Sequence, residues 1–252
     1  LTEIPKSHPR YASLVARERV ADGVKKGFTS TQGLIAQGRG EAFDYLLGEK
    51  TTPSAAKATR AAAAMLLLAE RPALSVNGNV AALVPQEMVE LARALGAPLE
   101  VNLFHRTEER VGKIADLLRS LGAKEVLGEW PDAAVPGLDH ARAKATRGGI
   151  YDADVVLIPL EDGDRCEALV KMGKKVIAVD LNPLSRTSRM ATVTIVDNIV
   201  RAVPNLTSAV RELSGLSKGD LSKILEDYDN NRILHQAVEE IQAHLEEQFK
   251  NT

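Results

Sequence analysis

The chain has 252 residues, 44% of them hydrophobic and 26% charged, with a formal charge of −2. That is enough apolar material for a core without staples, and too little positive charge for a surface built to hold nucleic acid. The lone cysteine, Cys166, excludes an intrachain disulfide and a multi-cysteine zinc site.

Elements are predicted from hydrophobic periodicity and from start and stop signals. Ser7-His8-Pro9 opens a helix whose apolar face carries Tyr11, Leu14, Val15, Val20 and Val24, with Gly27 as its stop. Gly33, Gly38 and Gly40 surround Arg39, and residues 31–41 read as a tight loop entering a helix at 41–47. Thr52-Pro53 begins an alanine-dominated helix reaching Glu70, which implies close helix packing. From Ala73 strands alternate with helices. Strands are predicted at 73–77, 99–104, 124–128, 154–160, 175–180 and 192–196, and helices near 86–95, 107–121, 163–172 and 198–213. Residues 130–150 carry turn signals, with a short helix at 138–146, and two amphipathic helices follow Gly219. The alternation predicts an α/β fold with a doubly wound, mostly parallel sheet. One domain is expected over 1–252: helices over 1–72, the sheet core over 73–213 and C-terminal helices over 214–252. No stretch reaches the roughly 20 apolar residues of a membrane span, and the polar start lacks a signal-peptide core. A soluble cytoplasmic protein is expected.

Ligands of open α/β sheets bind beyond the carboxyl ends of the strands. Here four strand ends deliver polar groups: Asn77-Gly78-Asn79, Glu161-Asp162-Gly163-Asp164-Arg165, Asp180-Leu181-Asn182 with Ser185, Arg186 and Thr187, and Asp197-Asn198. A P-loop, a Gly-x-Gly-x-x-Gly fingerprint, a His-Glu-x-x-His pair and a Gly-x-Ser-x-Gly elbow are all missing. Arg39 between glycines suits phosphate, or is a solvated loop arginine. Arg17 is a ligand contact or a helix arginine with its stem along apolar surface. Asp180 and Asn182 suit ribose, base or phosphate, and Arg186 suits phosphate; an Asp cap and an Asn-Pro turn are the alternative. Asp162 and Asp164 are candidate Mg²⁺ ligands or helix caps. Asn198 is a cap or a base-reading amide, and Asn77 and Asn79 form an anion-binding turn or a simple bend. His8 and His105 are the histidines nearest the proposed site, and Cys166 reads as a buried structural thiol.

Several strings resemble the archaeal phosphopantothenate synthetases, the 4-phosphopantoate–β-alanine ligases. They are Ile4-Pro5-Lys6-Ser7-His8-Pro9-Arg10-Tyr11, Gly33 through Leu46, Ser75-Val76-Asn77-Gly78-Asn79, Val101-Asn102-Leu103-Phe104, Pro159 through Arg165, Asp180 through Thr187, and Thr194-Ile195-Val196-Asp197-Asn198. Gln37 stands where histidine is common in that family, and Cys166 where threonine is common. The resemblance implies a Rossmann-like, dimeric enzyme of coenzyme A biosynthesis. It would join 4-phosphopantoate to β-alanine while splitting ATP to AMP and diphosphate, with Mg²⁺ expected. It assigns nucleotide contacts to Arg17, Arg39, Asp180, Leu181, Asn182, Arg186, Thr187, Asn198 and Ile199. Expected catalytic groups are Arg39, Arg186 and Asp162; expected substrate contacts are His8, Arg10, Asn77, Asn79 and Glu161; expected metal ligands are Asp162 and Asp164. An ADP-forming ligase working through an acyl phosphate and a nucleotide-binding regulatory module are the competing readings.

Overall fold

A computed structural model describes residues 4–250. Three helices come first: α1 (Tyr11–Lys26), α2 (Thr31–Leu46) and α3 (Pro53–Leu68). Strand β1 (Pro72–Val76) leads through α4 (Gly78–Leu83) and α5 (Pro85–Leu95) to β2 (Leu99–Val101), then α6 (Glu108–Ser120) and β3 (Val126–Leu127). The short strands β4 (Ala133–Ala134) and β5 (Lys144–Ala145) flank a 3-10 turn at Ala141–Ala143. Next come β6 (Val155–Pro159), α7 (Gly163–Lys171), β7 (Lys175–Val179), α8 (Arg186–Met190) and β8 (Val193–Ile195). Helices α9 (Ile199–Leu213), α10 (Lys218–Glu226) and α11 (Asn230–Lys250) complete the order. No helix among the described residues is long and apolar enough to cross a membrane.

All six strands expected from the sequence are present. They form one parallel sheet in the order β3-β2-β1-β6-β7-β8. The apolar runs are nearly continuous because both faces are covered. Val155, Leu157, Ile177 and Val179 join α3, α5, α6 and α9 on one face. Their neighbours Val156, Ile158, Val176 and Ala178 meet Cys166, Ala168 and Leu169 of α7 on the other. Alternate residues of one strand thus serve opposite layers, giving the doubly wound, Rossmann-like arrangement. Strand order reverses between β1 and β6, and such a switch opens a crevice at the carboxyl ends.

Alanine explains the placing of α3. Ala55, Ala58 and Ala61 through Ala64 are buried, and their small side chains let α9, α10 and α11 pack on this helix. That face is therefore consumed inside the chain and is not available for subunit contact.

Three local expectations are corrected. Residues 31–41 are not a loop; with 41–46 they form the single helix α2. Glycine in a helix costs roughly 1 kcal/mol relative to alanine, but Gly33 lets α2 lie against Asn79 and Thr29. A β-carbon there would fall 2.4 Å from Asn79 Oδ1. Asn77-Gly78-Asn79 is no bend: Asn77 caps α4, its side-chain oxygen accepting from the N–H groups of Asn79 and Val80. In place of a helix at 138–146 there is the 3-10 turn bracketed by the antiparallel pair β4–β5.

Candidate active site

The carboxyl ends of β1, β2, β6, β7 and β8 surround a cavity of about 600 Å³, within the usual range for small-molecule sites. Helix α2 spans its mouth. At one end Asn79 Nδ2 donates to the Gly33 carbonyl at 2.9 Å. At the other, Asp44 accepts from Asn198 Nδ2 at 2.7 Å and from Arg201 Nη2 at 2.5 Å. The distance fits: residues 33 to 44 rise about 17 Å along a helix, and β1 to β8 is three strand steps, about 14 Å. The crevice is tied beneath by Asn77, whose Nδ2 donates to the carbonyls of Pro159 and Leu160 at 3.0 Å each. Leu160 turns that carbonyl inward from a left-handed backbone at φ 53°, a costly conformation for a branched residue.

Most of the expected site residues converge here. Arg39, Asn77, Asn79, Glu161, Asp162, Asp180, Leu181, Asn182, Arg186, Thr187, Asn198 and Ile199 all line the cavity. Four do not. Arg17 lies on the far side of α2, where its Nε and Nη2 grip Glu41 at 2.8 and 2.7 Å. Arg10 joins the same group through the Tyr45 hydroxyl at 2.7 Å. His8 Nδ1 accepts from the Arg10 N–H at 3.0 Å. Asp164 is bonded to His140 Nε2 at 2.8 Å; burial works against its charge, but that bond and the Arg165 N–H hold its pKa below the usual value.

Within the cavity, several polar side chains are occupied in building the loops. Asp180 accepts from the Asn182 N–H at 2.9 Å and the Ser185 hydroxyl at 2.5 Å. Burial still pushes its pKa up, opposed by those bonds and by the nearby Arg39 charge. Thr187 Oγ1 donates to the Glu161 carbonyl at 2.9 Å. Asn198 is the cap of α9, accepting from the Val200 N–H at 3.2 Å. Its amide is thus a structural cap. Buried Cys166 directs its Sγ at the Thr187 carbonyl, 3.6 Å away. Burial drives that thiol up to about 12, so it is inert and supports the start of α8.

What remains free faces the cavity. Arg39 projects from α2 without a hydrogen bond or ion pair to another described residue, and Asn182 uses its Oδ1 on the Leu184 N–H while its Nδ2 stays available. Arg186 is 57% exposed on its side chain and shares one nitrogen with Glu167, so its other N–H groups remain free. Ile199, Gly163 and Arg186 set the first turns of α9, α7 and α8 against the cavity. Three helix N-termini then present N–H groups and positive dipole ends to one volume, an arrangement that favours anions.

Beneath the β6 end lies a charge cluster that sequence reading missed. Glu161 is buried between two arginines: Arg142 Nη2 at 3.1 Å and fully buried Arg165, which also donates to Ser75 Oγ at 3.3 Å. Arg142 reaches Asp162 through Nε at 3.1 Å and the Asn102 carbonyl through Nη1 at 2.9 Å. Burial raises the Asp162 pKa, with Arg142 opposing. Deeper still, Glu100 accepts from the N–H groups of Thr146 and Ile150 at 3.0 and 2.7 Å, and burial lifts its pKa to about 7. A signal existed: three carboxylates within residues 161–164 require cations, and Arg142 comes from the irregular stretch that returns over them. Arg110, also on the wall, gave no such sign.

The described residues contain no group of three metal-binding acids or histidines. Asp162 nevertheless fits Mg²⁺ held mainly by phosphate oxygens. It lines the cavity, its side chain is 43% exposed, and one oxygen is left over from Arg142. Asp164, turned to His140, fits less well.

Residues 54–244 match the profile of the phosphopantothenate/pantothenate synthetases. Over 97% of its length the chain is 60% identical to a 4-phosphopantoate–β-alanine ligase of Methanosarcina mazei, covering 96% of that protein. Another ligase of that name, from Thermococcus onnurineus, is 58% identical, with 97% of this chain and 94% of the relative covered. One from Methanospirillum hungatei is 49% identical, with 96% and 98% covered. Likeness of this extent, over a sheet whose switch point holds an arginine- and amide-lined cavity, shows that the chain belongs to the phosphopantothenate/pantothenate synthetase family.

Proposed function

We propose that this protein is an ATP-dependent carbon–nitrogen ligase that condenses 4-phosphopantoate with β-alanine to 4′-phosphopantothenate, releasing AMP and diphosphate. The observation that carries the reading is the convergence of Arg39, Asn182, Arg186 and three helix N-termini on one cavity in a chain so close to ligases of that name. A carboxylate is a poor electrophile. In the first step one carboxyl oxygen attacks the α-phosphorus, the bond to the bridging oxygen breaks, and diphosphate departs. The amine of β-alanine then attacks the acyl carbon of the adenylate, loses a proton, and expels AMP.

The chain's own groups suit these demands. Arg39 and Arg186 stabilise the charge gathering on the departing diphosphate. Asn182 Nδ2 and the first-turn N–H groups of α8 and α9 bind the nucleotide phosphates, while Asp180, Leu181 and Thr187 shape its wall. Mg²⁺ seated at Asp162 and the nucleotide would share in that charge stabilisation. Arg17 and Arg10 support α2 through Glu41 and Tyr45 and so act on the nucleotide through Arg39. Asn77, Asn79 and Glu161 hold the opposite wall. The reading also carries a cytoplasmic location and a homodimer, the second of which light scattering on the purified protein tests.

The decisive experiment mixes purified protein with ATP, Mg²⁺, 4-phosphopantoate and β-alanine and identifies every product. AMP, diphosphate and phosphopantothenate in equal amounts are expected. ADP with inorganic phosphate would refute the adenylate step, and absence of turnover would refute the enzyme.

A further inference from the structure

The arginines on the cavity wall differ in what balances them. Arg142 is matched by Glu161 and Asp162 and Arg186 by Glu167; Arg39 makes no ion pair with a described residue, but its charge lies near enough to Asp180 to oppose the rise in that group's pKa. Arg110 has no carboxylate within ion-pair distance among the described residues. Its Nη1 and Nη2 donate to the carbonyls of His105 and Phe28, the latter at 2.9 Å. Its Nε–H is buried with no acceptor. Burial lowers its pKa and no acid restores it. A half-buried cation with surplus donors on a cavity wall is complementary to an anion that the chain does not itself supply.

Position adds to this. Arg110 lies in the first turn of α6, beyond β2, and its Nη2 is 3.1 Å from where a β-carbon of Gly78 would stand. That puts it at the β2–β1 end of the cavity, with Asn79 and His105 beside it on the wall. The nucleotide end is at β7 and β8. From β2 to β7 is three strand steps, about 14 Å, too far for one phosphate chain to serve both ends while also presenting its α-phosphorus to a second substrate.

We propose that Arg110, with the His105 side chain at its edge, binds the phosphomonoester of the acyl substrate and so makes the site select the phosphorylated hydroxy acid over its unphosphorylated form. This deepens the proposed function and rests on it. Held there, the dianion anchors the far end of a short molecule whose carboxylate then extends toward β6, where the α-phosphorus would lie.

The test compares wild type, Arg110→Met and His105→Glu, with KM measured separately for 4-phosphopantoate, ATP and β-alanine, and with pantoate as an alternative acyl substrate. His105→Glu alters an exposed side chain while leaving the backbone carbonyl that Arg110 uses, so it covers the case in which Arg110→Met fails to fold. Both variants should raise KM for 4-phosphopantoate by about 10- to 100-fold, leave KM for ATP within about twofold, and reduce the preference for 4-phosphopantoate over pantoate by a similar factor. An unchanged 4-phosphopantoate KM in His105→Glu, or a rise in ATP KM that matches or exceeds it, overturns the assignment while leaving the ligase reading intact. A merely structural Arg110 would lower Tm and shift all three KM values together. A wild type inert toward both hydroxy acids refutes the ligase itself, and this assignment falls with it.

Discussion

Removing the Arg165 guanidinium tests whether the cavity floor is held by charge balance. The set contains Arg142 and Arg165 against Glu161 and Asp162; the two arginines and Glu161, only 1% exposed, are buried, and Asp162 closes the set at the cavity surface. Arg165→Met fills much of the same volume but leaves that set one negative charge in excess. Stranding one member of a buried pair costs about 3–5 kcal/mol. The lower end applies here, because Arg142 still reaches Glu161 at 3.1 Å and because Nε and Nη2 of Arg165 already lack partners. At about 2–4 °C per kcal/mol for a chain near this size, Tm should fall by about 6–12 °C. Urea unfolding followed by circular dichroism gives the free-energy change directly, provided the slope with denaturant is unchanged. Adding Glu161→Gln removes the excess charge, so the double variant should be more stable than Arg165→Met alone. A single variant that loses less than about 1 kcal/mol, or a double variant with additive losses, would refute the charge-balance argument.

Other perturbations separate the remaining roles. Arg186→Ala should lower kcat by about 10²–10³-fold with at most about 1 kcal/mol lost in urea unfolding, since its pairing with Glu167 is at the surface; normal turnover would remove it from the triphosphate site. Gly38→Ala, with nothing within 4 Å of the new β-carbon, should stabilise α2 by about 1 kcal/mol. Gly33→Ala, pressed on Asn79 and Thr29, should instead destabilise by about 1–3 kcal/mol; equal Tm values for the two would contradict the packing of α2. Glu100 holds its proton up to about 7, against 4.5 for a free glutamate. Folding therefore gains fully from it below the lower value and loses that gain as pH rises through the higher one, by roughly 3 kcal/mol. Glu100→Gln should flatten the fall in wild-type stability between pH 5 and 8; parallel stability curves would show that Glu100 ionises normally.

The sequence alone determined the strand pattern and the loops that carry the ligand groups. Both rest on local chemistry: mostly apolar runs buried on two faces, each ended within a residue or two by Asn, Asp, Glu or Gly. Val176 through Val179 followed by Asp180-Leu181-Asn182 is legible without any partner. The same holds for Asp197-Asn198 after Ile195, since a cap and its helix are neighbours in the chain. What tertiary structure decided depended on partners far away in sequence. Gly33, Gly38 and Gly40 together read as a loop because their cost is local, whereas Asn79 against Gly33 and Leu181 against Gly40 come from distant elements, and Gly38 meets nothing within 4 Å. Asn198 could be cap or reader until Asp44 claimed its amide. Arg17 could face a ligand until Glu41 took it to the far side of α2. Arg110 carries no local mark, and Arg142 only the indirect one of the acids at 161–164, because an arginine's role is set by which acids and carbonyls the fold brings within reach. Periodicity fixes where a side chain leaves the backbone; only the packed sheet fixes what it meets.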